Sequence, residues 1–120
     1  MQIKKVYTRV NPGLLYDEIR DFVQKQDVVV DEAKLETYSM PTDSSSFTYR
    51  GTLTFTSNEK SKEGKECLRA HIVGVPSQET KLVIDTNDKL FSPEKVTLLL
   101  EDIDFIFGSY EERPDSDDAD

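Results

Sequence analysis

An alternating run of ten residues in the middle of the chain is the feature that most restricts its fold. Between residues 47 and 56, Phe, Tyr, Gly or Leu at the odd positions alternates with Thr or Arg at the even positions. Successive side chains of a β-strand point to opposite faces, so this pattern predicts a half-buried antiparallel strand. A second alternating run, at residues 67–73, follows a charged turn. The two runs together predict a β-hairpin.

The apolar residues also predict the register of this hairpin. Pairing residues whose numbers sum to 123 places Phe55 opposite Leu68 and Leu53 opposite Ala70. A slip of one residue would turn the apolar side chains of one strand toward solvent, so the register is well specified. A further strand at residues 81–85 fits beside the second run with a sum of 154. The three strands form a predicted meander.

Two helices are predicted from their N-terminal residues and their apolar periodicity. Asn11-Pro12 and Ser92-Pro93 each provide an N-cap followed by proline at the first helical position. The first helix is expected to end near Gln26. The second carries an apolar stripe that continues to the end of the helix and consists of Val96, Leu99, Leu100, Ile103, Ile106, Phe107 and Tyr110.

Residues 28–40 are ambiguous between strand and helix. Three consecutive valines favour a strand, whereas residues 31–34 have helical propensity. We predict a strand from about Ala33 to Met40, preceded by a short extended piece, with a helix as the alternative. A loop is predicted at Pro41–Ser46, and residues 2–10 are predicted as the first strand.

The predicted element order is β-α-β-β-β-β-α, which defines an α+β two-layer sandwich. Its sheet is mainly antiparallel, with four to five strands, and both helices lie on one face. Residues 1–110 are expected to form a single domain. Residues 111–120 contain six acidic residues against Arg113, and we expect them to be a disordered acidic tail.

Composition and motifs argue against several functional classes. A net charge of −9 opposes binding to nucleic acid. No apolar run is long enough to cross a bilayer, and residues 1–7 do not resemble a signal peptide. The lone Cys67 fits a reducing cytosol, so a cytoplasmic location is expected. No phosphate-binding glycine loop or hydrolase motif is found, so we expect no cofactor and lean against catalysis.

Two groups of side chains have residue types that could carry chemistry. Glu101 and Asp104, with Asp102 beside them, could approach a divalent cation, but a solvated acidic face is the preferred interpretation. Cys67 and His71 lie four residues apart on one strand, about 13 Å, which is too far for a nucleophile and its base.

The polar face of the meander is predicted to contain Cys67, Arg69 and His71 on one strand and Arg50 on its neighbour. Of these, Arg50, Arg69 and His71 form a candidate anion site. The preferred interpretation is that Arg69 forms a cross-strand ion pair with Asp85 and that His71 is a surface or interface residue.

Leu98 and Phe105 fall outside the apolar stripe of the last helix. Large exposed apolar residues often mark interfaces, so these two, with Tyr110, are the candidate interface. A homodimer or a protein partner would cover them. In the alternative, Leu98 or Phe105 is covered within the chain by Phe91 and residues 28–30.

These observations predict a non-catalytic protein-interaction module that self-associates. The alternative is a domain that binds a small apolar ligand in a cavity between the sheet and the last helix. The cavity would be lined by Tyr49, Leu53, Phe55, Leu68 and Ile72 from the sheet and by Leu99, Ile103 and Phe107 from the helix.

Overall fold

Five strands and two helices make up the computed structural model of this chain, which describes residues 1–40, 43–58, 64–76 and 78–112. The predicted element order is confirmed. The elements are β1 (Gln2–Thr8), α1 (Pro12–Gln24), β2 (Val28–Met40), β3 (Asp43–Ser57), β4 (Glu66–Gly74), β5 (Glu79–Thr86) and α2 (Pro93–Phe107), followed by a 3-10 turn at Gly108–Tyr110.

The strands form one antiparallel sheet in the order β1-β5-β4-β3-β2. Both predicted registers are confirmed: Phe55 lies opposite Leu68, and Ala70 lies opposite Ile84. The first strand returns to the far side of the meander, where Ile3 pairs with Ile84. This placement leaves β1 and β2 as the two edges of the sheet.

Residues 28–40 form a strand throughout, so the helical alternative is wrong. The register shifts between Val30 and Glu32, which makes Asp31 a bulge. Pairing with β3 provides hydrogen-bond partners for the backbone N–H and C=O groups of residues 28–40. This stabilisation outweighs the helical propensity of residues 31–34. The loop predicted at Pro41–Ser46 is too long, because β3 begins at Asp43 and pairs there with Met40. Residues 41 and 42 lie outside the described residues.

Both helices begin where the sequence predicts. Asn11 Oδ1 accepts hydrogen bonds from the backbone N–H groups of Gly13 (2.8 Å) and Leu14 (3.2 Å). Ser92 Oγ accepts one from the N–H of Lys95 (3.3 Å). These caps satisfy N–H groups that have no partner inside the helix. The first helix ends at Gln24, two residues before the predicted position.

The two helices and the sheet enclose one hydrophobic core, as expected for a two-layer α+β sandwich. Its fully buried members include Leu15 and Ile19 of α1, Leu53 of β3 and Leu99 and Ile103 of α2. The apolar stripe of α2 is narrower than predicted. Its buried residues are Val96, Leu99, Ile103 and Phe107, whereas Ile106 and Tyr110 are exposed.

The chain beyond α2 returns to the edge of β1. Glu111 forms an isolated antiparallel bridge with Tyr7, and the N–H of Glu112 donates to the carbonyl oxygen of Val6 (2.7 Å). These two residues of the predicted tail therefore pair with the sheet edge. Residues 113–120 lie outside the described residues, and their disorder stays a prediction. Among the described helices, none is long and apolar enough to span a membrane.

Candidate functional site

The outer face of α2 exposes two large apolar side chains. Phe105 is 91% exposed and Leu98 is 51% exposed. They lie seven residues apart, which is about two turns, on the side of the helix opposite the buried Ile103. The alternative in which Leu98 or Phe105 is covered within the chain by Phe91 and residues 28–30 is wrong, because both side chains are exposed.

Carboxylates border this apolar pair. Glu101 and Asp102 are the i−4 and i−3 neighbours of Phe105, and Glu94 is the i−4 neighbour of Leu98. Glu101 and Glu94 are exposed, whereas Asp102 forms an ion pair with Nζ of Lys25 on α1 at 3.3 Å. The outer face of α2, defined here by Leu98, Phe105 and their flanking acids, is therefore apolar at its centre and negative around it.

The acidic residues of α2 face different partners. Asp104 Oδ1 lies 3.5 Å from Nζ of Lys5, and Asp102 points to Lys25. Lysine neutralises two of the carboxylates considered for a cation. In the part of the chain that the structure describes, no group of three or more His, Cys, Asp or Glu side chains could hold a metal ion.

Tyr110 lies apart from Leu98 and Phe105. It borders a surface groove of about 360 Å³ between the β1–α1 turn and the end of α2. The groove is lined by Arg9, Val10, Asn11, Leu14, Ile106, Phe107 and Tyr110. The predicted interface residues therefore belong to two separate surfaces.

The polar sheet face contains all three predicted basic residues, but Arg50 and Arg69 lie four positions apart along the ladder. His71 lies half-buried opposite Thr52 and Val83, and Arg50 is exposed on the neighbouring strand. Arg69 lies opposite Asp85 in the predicted register but pairs with Glu66, at 2.8 Å. The predicted Arg69–Asp85 ion pair is therefore wrong.

A β-bulge at Cys67 explains this difference. The register shifts between Phe55 and Thr56, which turns Glu66 onto the same face as Arg69. The bulge also directs Cys67 inward, where its side chain is 1% exposed and its thiol donates to the carbonyl oxygen of Phe55 at 3.4 Å. Burial raises the pKa of the Cys67 thiol. Cys67 is thus a core residue and does not share the polar face with His71.

A polar cluster between β1 and the end of α2 was missed from the sequence. Lys5 Nζ lies 3.0 Å from Glu111 Oε1 and 3.5 Å from Asp104 Oδ1. The buried hydroxyl of Tyr7 has no hydrogen-bond partner among the described residues. Burial raises the pKa of Tyr7, and the charges of Glu111 and Asp104 raise it further. The available signal was Lys5 itself, which lies between Ile3 and Tyr7 on the apolar face of β1.

The side chains predicted to line a ligand cavity are mostly packed in the core. All of them except Tyr49, which is half-buried, belong to the single hydrophobic cluster. The ligand-binding alternative stays a prediction.

Comparison with protein-family models, with curated proteins and with solved structures finds no match for this chain.

Proposed function

We propose that this chain is a non-catalytic, cytoplasmic protein-interaction module that self-associates. It binds a partner protein through the outer face of α2, which is a surface separate from its self-association. The exposure of Phe105, at 91%, is the observation that supports the docking surface. Burying such a side chain stabilises a contact by about 1.5–3 kcal/mol. Aromatic residues are also enriched at the centres of protein interfaces. The lone buried Cys67 is compatible with a reducing compartment.

The charges around Phe105 favour a partner segment that is apolar and flanked by Lys or Arg. Glu94 and Glu101 would face those basic residues. A second copy of α2 is a poorer occupant. A two-fold axis between Leu98 and Phe105 would bring Glu101 of both copies together, and the two carboxylates would repel each other in a desolvated contact.

Two synthetic helical peptides test this assignment. They share one apolar sequence, and lysines flank it in the first peptide and glutamates in the second. Fluorescence anisotropy should show that the wild type binds only the lysine-flanked peptide. Phe105→Asp should weaken that binding at least about tenfold, since about 1.5 kcal/mol of apolar contact is lost.

Thr97→Asp is the matched control. It places the same carboxylate at an exposed position of α2 outside the apolar pair. Binding of the lysine-flanked peptide should be nearly unchanged in this variant. Equal weakening by Phe105→Asp and Thr97→Asp would mean that binding responds to any change on the exposed side of α2 and not to the Phe105 side chain, and it would contradict a docking surface at Phe105.

A further inference from the structure

The two edges of the sheet differ in how much of them is covered. On β1, the backbone edge is paired at its end by Glu111 and Glu112. On β2, which is 13 residues long, no strand or helix of the described residues lies beyond the free edge. A long unpaired edge offers a row of backbone N–H and C=O groups to another strand.

We propose that β2 pairs antiparallel with β2 of a second copy, in the register in which residue numbers sum to 70, with Leu35 on the two-fold axis. This inference rests on the self-association in the proposed function. It adds the surface through which the two copies would associate and the register of their strands. The product is a continuous ten-stranded sheet, closed by the symmetry of a dimer.

Only a few registers place opposite charges of the two β2 strands across from each other. With a sum of 70, Lys34 lies opposite Glu36 of the second copy, and the two-fold axis creates this pair twice. A sum of 68 places Lys34 opposite Lys34 and Glu32 opposite Glu36, and a sum of 72 places Glu36 opposite Glu36. Like charges directly opposite each other destabilise a strand pair.

A sum of 66 also pairs opposite charges but fails elsewhere. It sets Lys34 opposite Glu32 and places Leu35 opposite Asp31, which is the bulged residue. The regular stretch available to a sum of 70 runs without interruption from Glu32 to Tyr38. The register with Leu35 on the axis is therefore the one that combines opposite charges with an uninterrupted ladder.

The side chains at the axis are also suited to burial. Leu35 is 41% exposed and lies beside Gly51 on the face that α1 covers. Pairing would cover it with its own counterpart. On the other face, Glu36 lies opposite Arg50, and its carboxylate interacts with the hydroxyl of Tyr38.

Two variants with reversed charges at positions 34 and 36, measured alone and as a mixture, test this register. Lys34→Glu and Glu36→Lys should each raise the Kd of the dimer about tenfold or more, because by symmetry each substitution creates two pairs of like charges across the axis. An equimolar mixture of the two variants should recover the wild-type mass by light scattering, since positions 34 and 36 then carry opposite charges in both pairs across the axis. Mixing Lys34→Glu with Glu32→Lys tests the sum of 66 and should give no comparable recovery.

Disulfide trapping provides a second measurement that does not depend on affinity. Leu35→Cys should form an intermolecular disulfide, because the two copies of residue 35 are direct neighbours. Thr37→Cys should not, because its two copies would lie about 13 Å apart along the strands. The wild type is the control, since Cys67 is 1% exposed.

Three results would overturn this inference: a monomeric wild type, trapping by Thr37→Cys without Leu35→Cys, or a dimer that dissociates with Phe105→Asp and persists with Lys34→Glu. Binding of the lysine-flanked peptide separates the two proposals. If Lys34→Glu still binds that peptide while the wild type is monomeric, the docking surface on α2 stands and the β2 pairing fails.

Discussion

Tyr7→Phe is expected to stabilise the protein, which is an unusual outcome for a change at a fully buried position. The ring of Tyr7 lies in the core, 6.0 Å from the ring of Phe107, and its hydroxyl is buried without a hydrogen-bond partner among the described residues. A buried hydroxyl without a partner costs about 1–3 kcal/mol. Phenylalanine keeps the ring contacts and removes that cost, so the melting temperature should rise by several degrees.

The pH dependence of this difference gives a second, independent readout. Burial raises the pKa of Tyr7 above its ordinary value of 10, with further contributions from Glu111 and Asp104. The unfolded chain therefore ionises Tyr7 first. The stability linked to the neutral tyrosine is complete below pH 10 and is lost as the pH rises from there toward the folded pKa. The advantage of Tyr7→Phe should consequently grow above pH 10.

Thermal unfolding followed by circular dichroism measures both effects. Tyr110→Phe is the matched control, because its side chain is 44% exposed and its hydroxyl can reach water. This control should leave the melting temperature nearly unchanged. A melting temperature of Tyr7→Phe below that of the wild type would show that the hydroxyl is hydrogen-bonded in solution, and it would refute the reasoning.

Two further predictions concern the core. Gly51→Ala should destabilise the protein by about 1–3 kcal/mol, because a Cβ there would lie 2.7 Å from the ring of the buried Tyr16; urea denaturation measures this, and the loss should shrink in a Tyr16→Leu background. The Cys67 thiol should react with a disulfide reagent far more slowly in the native protein than in urea, because it is buried and its pKa is raised. Equal rates in the two conditions would contradict the inward position of Cys67.

The two proposed surfaces are compatible with each other in space. On the sheet, α1 contacts β2, β3 and β4, whereas the end of α2 is tied to β1 through Lys5 and Asp104. Pairing through β2 would therefore leave both α2 faces open at opposite ends of the ten-stranded sheet. Such a dimer would present two copies of Phe105, and a partner with two basic apolar segments would gain affinity from binding both.

The hairpin register, the helix starts and the fold class could be predicted because each depends on neighbouring residues in the sequence. Alternation at residues 47–56 fixes which side chains share a face, and Asn11 and Ser92 cap their helices through bonds to residues two or three positions away. The exposure of Leu98 and Phe105 followed from the same kind of pattern, since a helix can bury only one side against a sheet.

The bulge at Cys67 could not be predicted from alternation, because alternation assumes that every residue has one partner. One extra residue in β4 reversed the face of Cys67, gave Arg69 the neighbour Glu66, and removed the expected pair with Asp85. A bulge is decided by how two strands fit together.

By itself, the sequence determined the two-layer α+β architecture, the paired strands of the meander and the exposed apolar residues of the last helix, because periodicity and capping act over a few residues. Only the tertiary structure decided that β1 lies beside β5, that Lys5 meets Glu111 across 106 positions of the chain, and that β2 is an edge strand of the sheet. These features depend on which distant segments pack against each other, and the pattern of neighbouring residues in the sequence does not predict that.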